Sequence, residues 1–415
     1  MNYRERHLER RLSRLRSAVP VVLVIGARQS GKSTLLAHVA PRAARVVFDP
    51  VIDIGNARDD PELFLDQYRP PLILDEVQYV PDLLAVIKRR VDEDGAPGQF
   101  LLTGSMNLML LRSVSESMAG RVAVLDLPFL SLAERCGRAA TAGVWVEDLF
   151  AADPLSRLRR RERLPPRAIE ATLASRLWRG GFPRHLDHDD EILPDLLASY
   201  MRTYVERDVR RVAAVEDAGL FTRFVGLCAA HTGQEINHSQ LGRELGITYQ
   251  TSQRWLGILQ ATFQWLEVPA FSANPTKRVS KRPKGYFADT GLAAWTQRIS
   301  SPEALFTNPM LGALFETHVV LDLLKQTHAM AHPPRAHHWR LHSGAEVDLI
   351  LERDGVLVAI EAKSRSRVTR ADTRGIRAFR DSHPRLRHGT GVVVAAVREV
   401  TLLGDNIVAV PYDLA

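Results

Sequence analysis

Short apolar runs closed by glycine or by acids fill the first third of the chain. Val21–Ile25 (VVLVI), the PLILDEVQ segment ending in Asp75-Glu76, Gln99–Leu102 and the stretch 122–127 are each the length of a buried strand. After Glu134 the strand pattern fades, and residues 150–167 form a basic, proline-terminated connector. Apolar positions then recur at helical spacing: Leu196, Tyr200, Tyr204 and Val205 share one face, with Arg202, Arg207, Arg210 and Arg211 elsewhere. INHSQLGRELGITYQTSQRWLGILQ reads as helix, turn at Gly246, and a second helix capped by Thr248, with later runs FQWLEVPAF and KGYFADTGL as strands of a wing. Leu311–Gln326 predicts another amphipathic helix. Runs 347–351 and 356–360 then predict neighbouring strands joined by an Arg353-Asp354-Gly355 turn.

The first strand runs straight into GARQSGKST, the spacing of a phosphate loop between a strand and a helix. Gly26, Ala27, Arg28, Gln29, Ser30, Gly31, Lys32, Ser33 and Thr34 are the candidate nucleotide contacts. Backbone amides close around phosphates there, Lys32 reaches the terminal phosphates, and Ser33 ligates Mg²⁺. Asp75 closes a second strand as a Mg²⁺ carboxylate, and Glu76 beside it positions or activates water. Thr103 and Ser105 end the third strand, where they could sense the γ-phosphate or orient water. The expected cofactors are ATP and Mg²⁺.

The totals fit a multidomain globular chain of 415 residues, 45% hydrophobic and 25% charged. Two isolated cysteines, Cys136 and Cys228, exclude a cysteine-based metal knuckle and a disulfide scaffold. The basic N-terminus has no apolar signal core after it and no run reaches membrane-spanning length, so a cytoplasmic chain without a membrane partner is expected. Lys+Arg 55 against Asp+Glu 48 leaves +7, which admits a polyanion partner or an ordinary solvated surface. Gln250, Ser252, Gln253 and Arg254 would be the exposed side of the second helix of the helix-turn-helix and could reach DNA. Lys277, Arg278, Lys281, Arg282 and Lys284 form a denser basic stretch for phosphate contact. His328, His332, His337, His338 and His342 straddle a proline pair at no regular ligand spacing, and read as a loop entering a strand.

Asp348 and Glu361 interrupt the two late strands. Burying carboxylates there is costly unless a cation meets them, so they lie at a solvated edge or hold a metal. Their separation leaves room for a strand, a tight turn and the next strand, and Lys363 emerges on the same face as Glu361. With Glu316 on the preceding helix, the set resembles the PD-(D/E)xK nuclease core. That resemblance implies Asp348 and Glu361 as Mg²⁺ ligands, Glu316 in support, and Lys363 orienting water. It leaves open whether the domain cuts nucleic acid or is a retained inactive fold.

Other segments are similar to a family of prokaryotic AAA-type ATPases: the GARQSGKS loop, DEVQ, LTGS, MAGR, PFLSLAE, GGFP at 180–183, YMRTYVERDV at 200–209, HTG at 231–233 and PKGYFADTGL at 283–292. The resemblance implies an arginine at Arg121 that stabilises transition-state charge in a neighbouring subunit, hence a homo-oligomeric ring; a structural cation is the alternative. The expected fold class is multidomain α/β. An AAA-type P-loop parallel-sheet domain (1–148) is followed by a helical linker (149–225), a winged helix (226–298) and a C-terminal restriction-endonuclease-like α/β domain (299–415). The function expected is a Mg²⁺-dependent ATPase that engages DNA, with metal-dependent cleavage as an option. The alternative is a nucleotide-gated protein-interaction switch.

Overall fold

The computed structural model describes residues 3–49, 55–105, 118–142, 144–165, 167–209, 215, 217–274, 281–341 and 343–414. Arg210, Arg211, Lys277, Arg278 and His342 lie outside them, as does the side chain of Arg207.

Five strands, β1 (Val21–Ile25), β2 (Ala44–Val47), β3 (Leu72–Asp75), β4 (Phe100–Gly104) and β5 (Val122–Asp126), pair in parallel in the order β2-β3-β4-β1-β5. Every residue of β1, β3 and β4 is buried, as continuous apolar runs require when both faces of a sheet are covered. Alternate side chains serve two cores: Val21, Leu23, Leu74 and Leu102 pack on one face, Val22, Val24, Ile73 and Leu101 with the helix Lys32–Val39 on the other. Because β4 intervenes between β1 and β3, the phosphate loop and the acidic strand end open on the same edge, two strands apart.

The middle of the chain is helical. Asp153 and Thr172 cap its short helices, and the connector's Arg163 reaches across to Asp413 near the C-terminus at 2.7 Å. Tyr200, Tyr204 and Val205 are buried and Arg202 is exposed, as their spacing predicts. Two helices, His238–Leu245 and Tyr249–Ala261, meet at Gly246, whose left-handed backbone (φ 70°) suits glycine, and Thr248 accepts a hydrogen bond from the Thr251 amide. Beside them β6 (Gln234–Glu235), β7 (Trp265–Val268) and β8 (Lys284–Phe287) form an antiparallel sheet in the order β6-β8-β7. Ser252 departs from the expectation. It is buried against His238, leaving Gln250, Gln253 and Arg254 exposed.

The C-terminal sheet is mixed. Its strands are β9 (Arg335–Arg340), β10 (Glu346–Arg353), β11 (Val356–Lys363), β12 (Arg387–His388), β13 (Gly391–Ala395), β14 (Thr401–Gly404) and β15 (Ile407–Pro411). Their order is β14-β15-β13-β11-β10-β9, with β12 beside β11. Asp354 and Gly355 both have positive φ, the backbone of the two-residue hairpin expected between β10 and β11. His337 and His338 lie in β9 as anticipated. The helix Leu311–Thr327 covers one face and Arg374–Ser382 the other. One apolar core takes in Ala27 and Phe129 of the first domain, the helical middle from Trp145 onward, and one face of this sheet as far as Leu414. Among the described residues, no helix is long and apolar enough to cross a membrane.

Candidate functional site

Glycine at two positions gives the phosphate loop its path. Gly31 sits at φ 94°, a region that side-chain-bearing residues avoid, at the foot of the helix Lys32–Val39. A Cβ on Gly26 would collide with the Leu127 carbonyl, so only glycine lets the loop pass the end of β5. Lys32 is buried, with its ammonium donating to the carbonyls of Gly26 and Ala27 at 2.9 Å each. Ala27 and Ser30 are buried, Arg28 and Gln29 half-buried, and Thr34 exposed. Arg28 reaches the Tyr79 hydroxyl at 3.4 Å.

Opposite stands the acidic strand end. Asp75 Oδ1 accepts hydrogen bonds from Ser33 Oγ at 2.8 Å and from the Thr103 hydroxyl. Thr103 Oγ1 in turn accepts the Glu76 amide at 3.0 Å, so this fully buried threonine locks the Asp-Glu pair from β4. Glu76 occupies left-handed backbone at φ 61°, uncommon for a side-chain-bearing residue and found at functional turns. Its carboxylate accepts from Gln78 Nε2, which also donates to Ser105 Oγ at 3.2 Å. Sequence reasoning missed Gln78 as a positioning group, and also Arg45, whose guanidinium meets Asp75 Oδ2 at 2.7 Å from β2. Arg6 was missed too. It donates to Ser30 O at 2.7 Å and Pro128 O at 2.6 Å and pairs with buried Glu134.

These residues fit a Mg²⁺-bound nucleoside triphosphate. Ser30 Oγ is fully buried without a partner among the described residues, and the Ser33 hydroxyl beside the Asp75 carboxylate is the oxygen set a hydrated Mg²⁺ takes. Mg²⁺ held there would neutralise charge on the terminal phosphates. Lys32 can turn from its two carbonyls to the phosphates, and Glu76 can orient the attacking water. Arg121 lies apart from this edge, half-exposed, with its guanidinium on Asp92 and on the Ala119 carbonyl.

The second acidic group is assembled as the spacing predicts, and with an unexpected partner. Leu349 pairs with Ile360 in register, so Asp348 faces Glu361 across the hairpin, and Asp348 Oδ2 accepts the Ala362 amide at 2.9 Å. Lys363 pairs with Glu361 at 3.1 Å, and Glu316 approaches from the long helix. Lys284, expected in a basic loop for phosphate contact, instead lies buried in β8 with its ammonium 2.6 Å from Glu316 and 3.2 Å from Asp348. Tyr286, two residues on and thus on the same face of β8, donates to Glu316 at 2.9 Å.

The electrostatics follow from this packing. Burial, then the neighbouring Asp348 charge, pushes the Glu316 carboxyl up to about 7, although Lys284 pulls it back down. Burial and Asp348 likewise push Glu361 well above the carboxylate range, against the opposing pull of Lys363. Burial alone would lower the Lys284 ammonium, but Asp348 and Glu316 outweigh it and hold it above the ordinary lysine range. A divalent ion ligated by Asp348, Glu361 and Glu316 does not fit this arrangement: an ammonium already joins two of the three carboxylates. Among the described residues, no group of three or more His, Cys, Asp or Glu side chains is placed to hold a metal ion. Beside the acids, a cleft of 310 Å³ is lined by Glu346, Glu361, Lys363, Arg365 and Arg374.

Residues 18–136 match the family profile described as an AAA domain, while residues 170–303 and 311–415 each match a domain of unknown function. An uncharacterized protein of Mycobacterium tuberculosis, Rv2008c, is 30% identical over 406 residues, covering 97% of this chain and 82% of the relative; a Mycobacterium bovis protein matches to the same extent. Among solved structures, a Walker-type ATPase of Pyrococcus abyssi is 15% identical with a TM-score of 0.41, covering 70% of this chain and 94% of that one. The RuvB Holliday junction branch migration motor of Thermotoga maritima is 15% identical with a TM-score of 0.33, covering 67% and 95%. With a parallel sheet that carries a phosphate loop facing an Asp-Glu strand end, and with a relative similar along nearly the whole of this chain, the chain belongs to the family of Rv2008c and carries an AAA-type, P-loop ATPase domain.

Proposed function

We propose that this protein is a Mg²⁺-dependent ATPase whose hydrolysis cycle governs engagement of DNA by its C-terminal half. The observation that carries the ATPase half is Ser33 bonded to Asp75 at 2.8 Å beneath the phosphate loop, with Glu76 next in the chain. Support for coupling comes from the long helix Leu311–Thr327. Its C-terminal end is tied to the ATPase domain: Asp322 accepts the Leu132 amide at 2.6 Å, Lys325 donates to Leu130 O at 3.2 Å, and Arg11 donates to the carbonyl of the adjoining His328 at 2.8 Å. Arg6 links that same segment to Ser30 of the loop, so a ligand that reshapes the loop pulls on the helix. At its other end the helix carries Glu316.

DNA engagement rests on the helix-turn-helix with its small sheet, read here as a winged helix. Gln250, Gln253 and Arg254 are exposed on one helix and open to base edges or phosphates. The test is ATP hydrolysis with and without duplex DNA. Several-fold stimulation is expected, and it should weaken in Arg254→Ala while the DNA-free rate stays unchanged. The salt slope of binding should fall by about 1 if Arg254 meets a phosphate. Hydrolysis indifferent to DNA and RNA alike would sink this half of the proposal.

Assembly is a further part of the reading. Arg121 and Asp92 form an exposed pair, and such pairs contribute little, about 0–1 kcal/mol, so the guanidinium is available to a neighbouring copy. Light scattering with ATP should show an oligomer, and Arg121→Ala should lower turnover without lowering nucleotide affinity. A monomer at all protein concentrations counts against it.

A second reading is favoured by Lys284 among the acids. In it the C-terminal domain is a nuclease-like fold without cleavage, used as a nucleotide-gated docking module. In that case Asp348→Ala leaves every activity on nucleic acid unchanged.

A further inference from the structure

Three carboxylates meet between β8, β10, β11 and the long helix, and in a buried setting each needs a counter-charge or a proton. Lys363 serves Glu361 from the same strand, and at one-third exposure it faces the cleft. Glu316 and Asp348 are served from elsewhere in the fold, by a strand that belongs to the helix-turn-helix unit rather than to the nuclease-like sheet. The placement of Lys284 is built. Tyr286 on the same face holds Glu316, β8 is fixed between β6 and β7, and Gly285 on the opposite face leaves room for the Trp265 ring, which a Cβ there would strike.

We infer that the Lys284 ammonium is the resident cation of this acidic centre, standing where a divalent ion would bridge Glu316 and Asp348, so the native centre takes no divalent ion. Oxygens that ligate Mn²⁺ or Mg²⁺ approach the ion to about 2.1 Å, and the ammonium held between Glu316 Oε1 and Asp348 Oδ1 fills the space an ion bridging them would need, with like charge. An ammonium on a strand core cannot diffuse away as a hydrated ion does. This inference does not rest on ATP hydrolysis or on DNA binding.

The test is Mn²⁺ titration of the full chain without nucleotide, followed by the spin resonance signal of free Mn²⁺. Wild type and Asp348→Asn should bind equal amounts, which cancels any ion at Asp75. Lys284→Met should bind about one further Mn²⁺ per chain, and Lys284→Met/Asp348→Asn should lose it. Wild-type binding of a Mn²⁺ that Asp348→Asn removes would overturn the inference, and so would a folded Lys284→Met that gains none. Should Lys284→Met not fold, the comparison of wild type with Asp348→Asn or with Glu361→Gln still decides whether the native centre holds a metal.

Discussion

Glu76→Gln should lower ATP hydrolysis by about two to four orders of magnitude while leaving ATP binding intact, because the amide keeps the shape of the side chain and loses its capacity to take a proton. That loss corresponds to about 3–5 kcal/mol of transition-state stabilisation. The geometry gives the expectation its direction. Thr103 fixes the Glu76 amide, and Gln78 holds the carboxylate towards Ser105 at the open edge of the sheet, so backbone and side chain of Glu76 are both held in place. Lys32→Ala should fail differently. On the proposed function its ammonium would turn from the Gly26 and Ala27 carbonyls to the terminal phosphates, and its removal should weaken nucleotide affinity as well as turnover. Single-turnover hydrolysis beside fluorescent-nucleotide titration separates the two. A Glu76→Gln protein that hydrolyses ATP at the wild-type rate would remove Glu76 from the chemistry.

The ATPase half was legible because its signal is local. Gly26, Gly31, Lys32 and Ser33 sit within one turn and a helix start, and the apolar runs before them have the length and uniformity of strands buried on both faces. The hairpin that brings Asp348 to Glu361 was legible for a similar reason: side chains alternate along a strand, and a two-residue turn fixes the register. Lys284 was not. Its partners lie 32 and 64 residues later, on elements whose packing no spacing rule reports, and in a stretch rich in basic residues a lysine reads as solvated. A signal was nevertheless present, since Lys284 opens the strand-like run KGYF. Arg45 escaped for another reason. Three of the four residues of β2 are exposed, so nothing in its pattern marks the arginine that reaches Asp75. Ser252 was placed outward because one helical turn of polar residues does not say which of them meets the preceding helix.

Lys284→Met should cost about 3–5 kcal/mol of stability at neutral to alkaline pH, the usual consequence of removing one partner from a buried ion pair and leaving the other charged. The cost should shrink as pH falls. Glu316 is raised in the folded chain to about 7 from its ordinary 4.5, first by burial and then by Asp348, with Lys284 opposing both. Taking Lys284 away removes that opposition, so the folded carboxyl titrates higher still. For a carboxyl whose folded value exceeds its unfolded one, the unfolded chain gives up its proton first. The associated stability is therefore complete below about 4.5 and is lost as pH rises through the folded value. The variant should thus lie nearest wild type at about pH 5 and furthest from it at about pH 8.5, read from urea midpoints across that range. Lys284→Met/Glu316→Gln should recover part of the loss at the alkaline end, since the neutral amide no longer needs a counter-charge there. A difference between variant and wild type that stays constant with pH would mean that Lys284 stabilises this strand by packing alone, with its charge unmatched to the acids it touches.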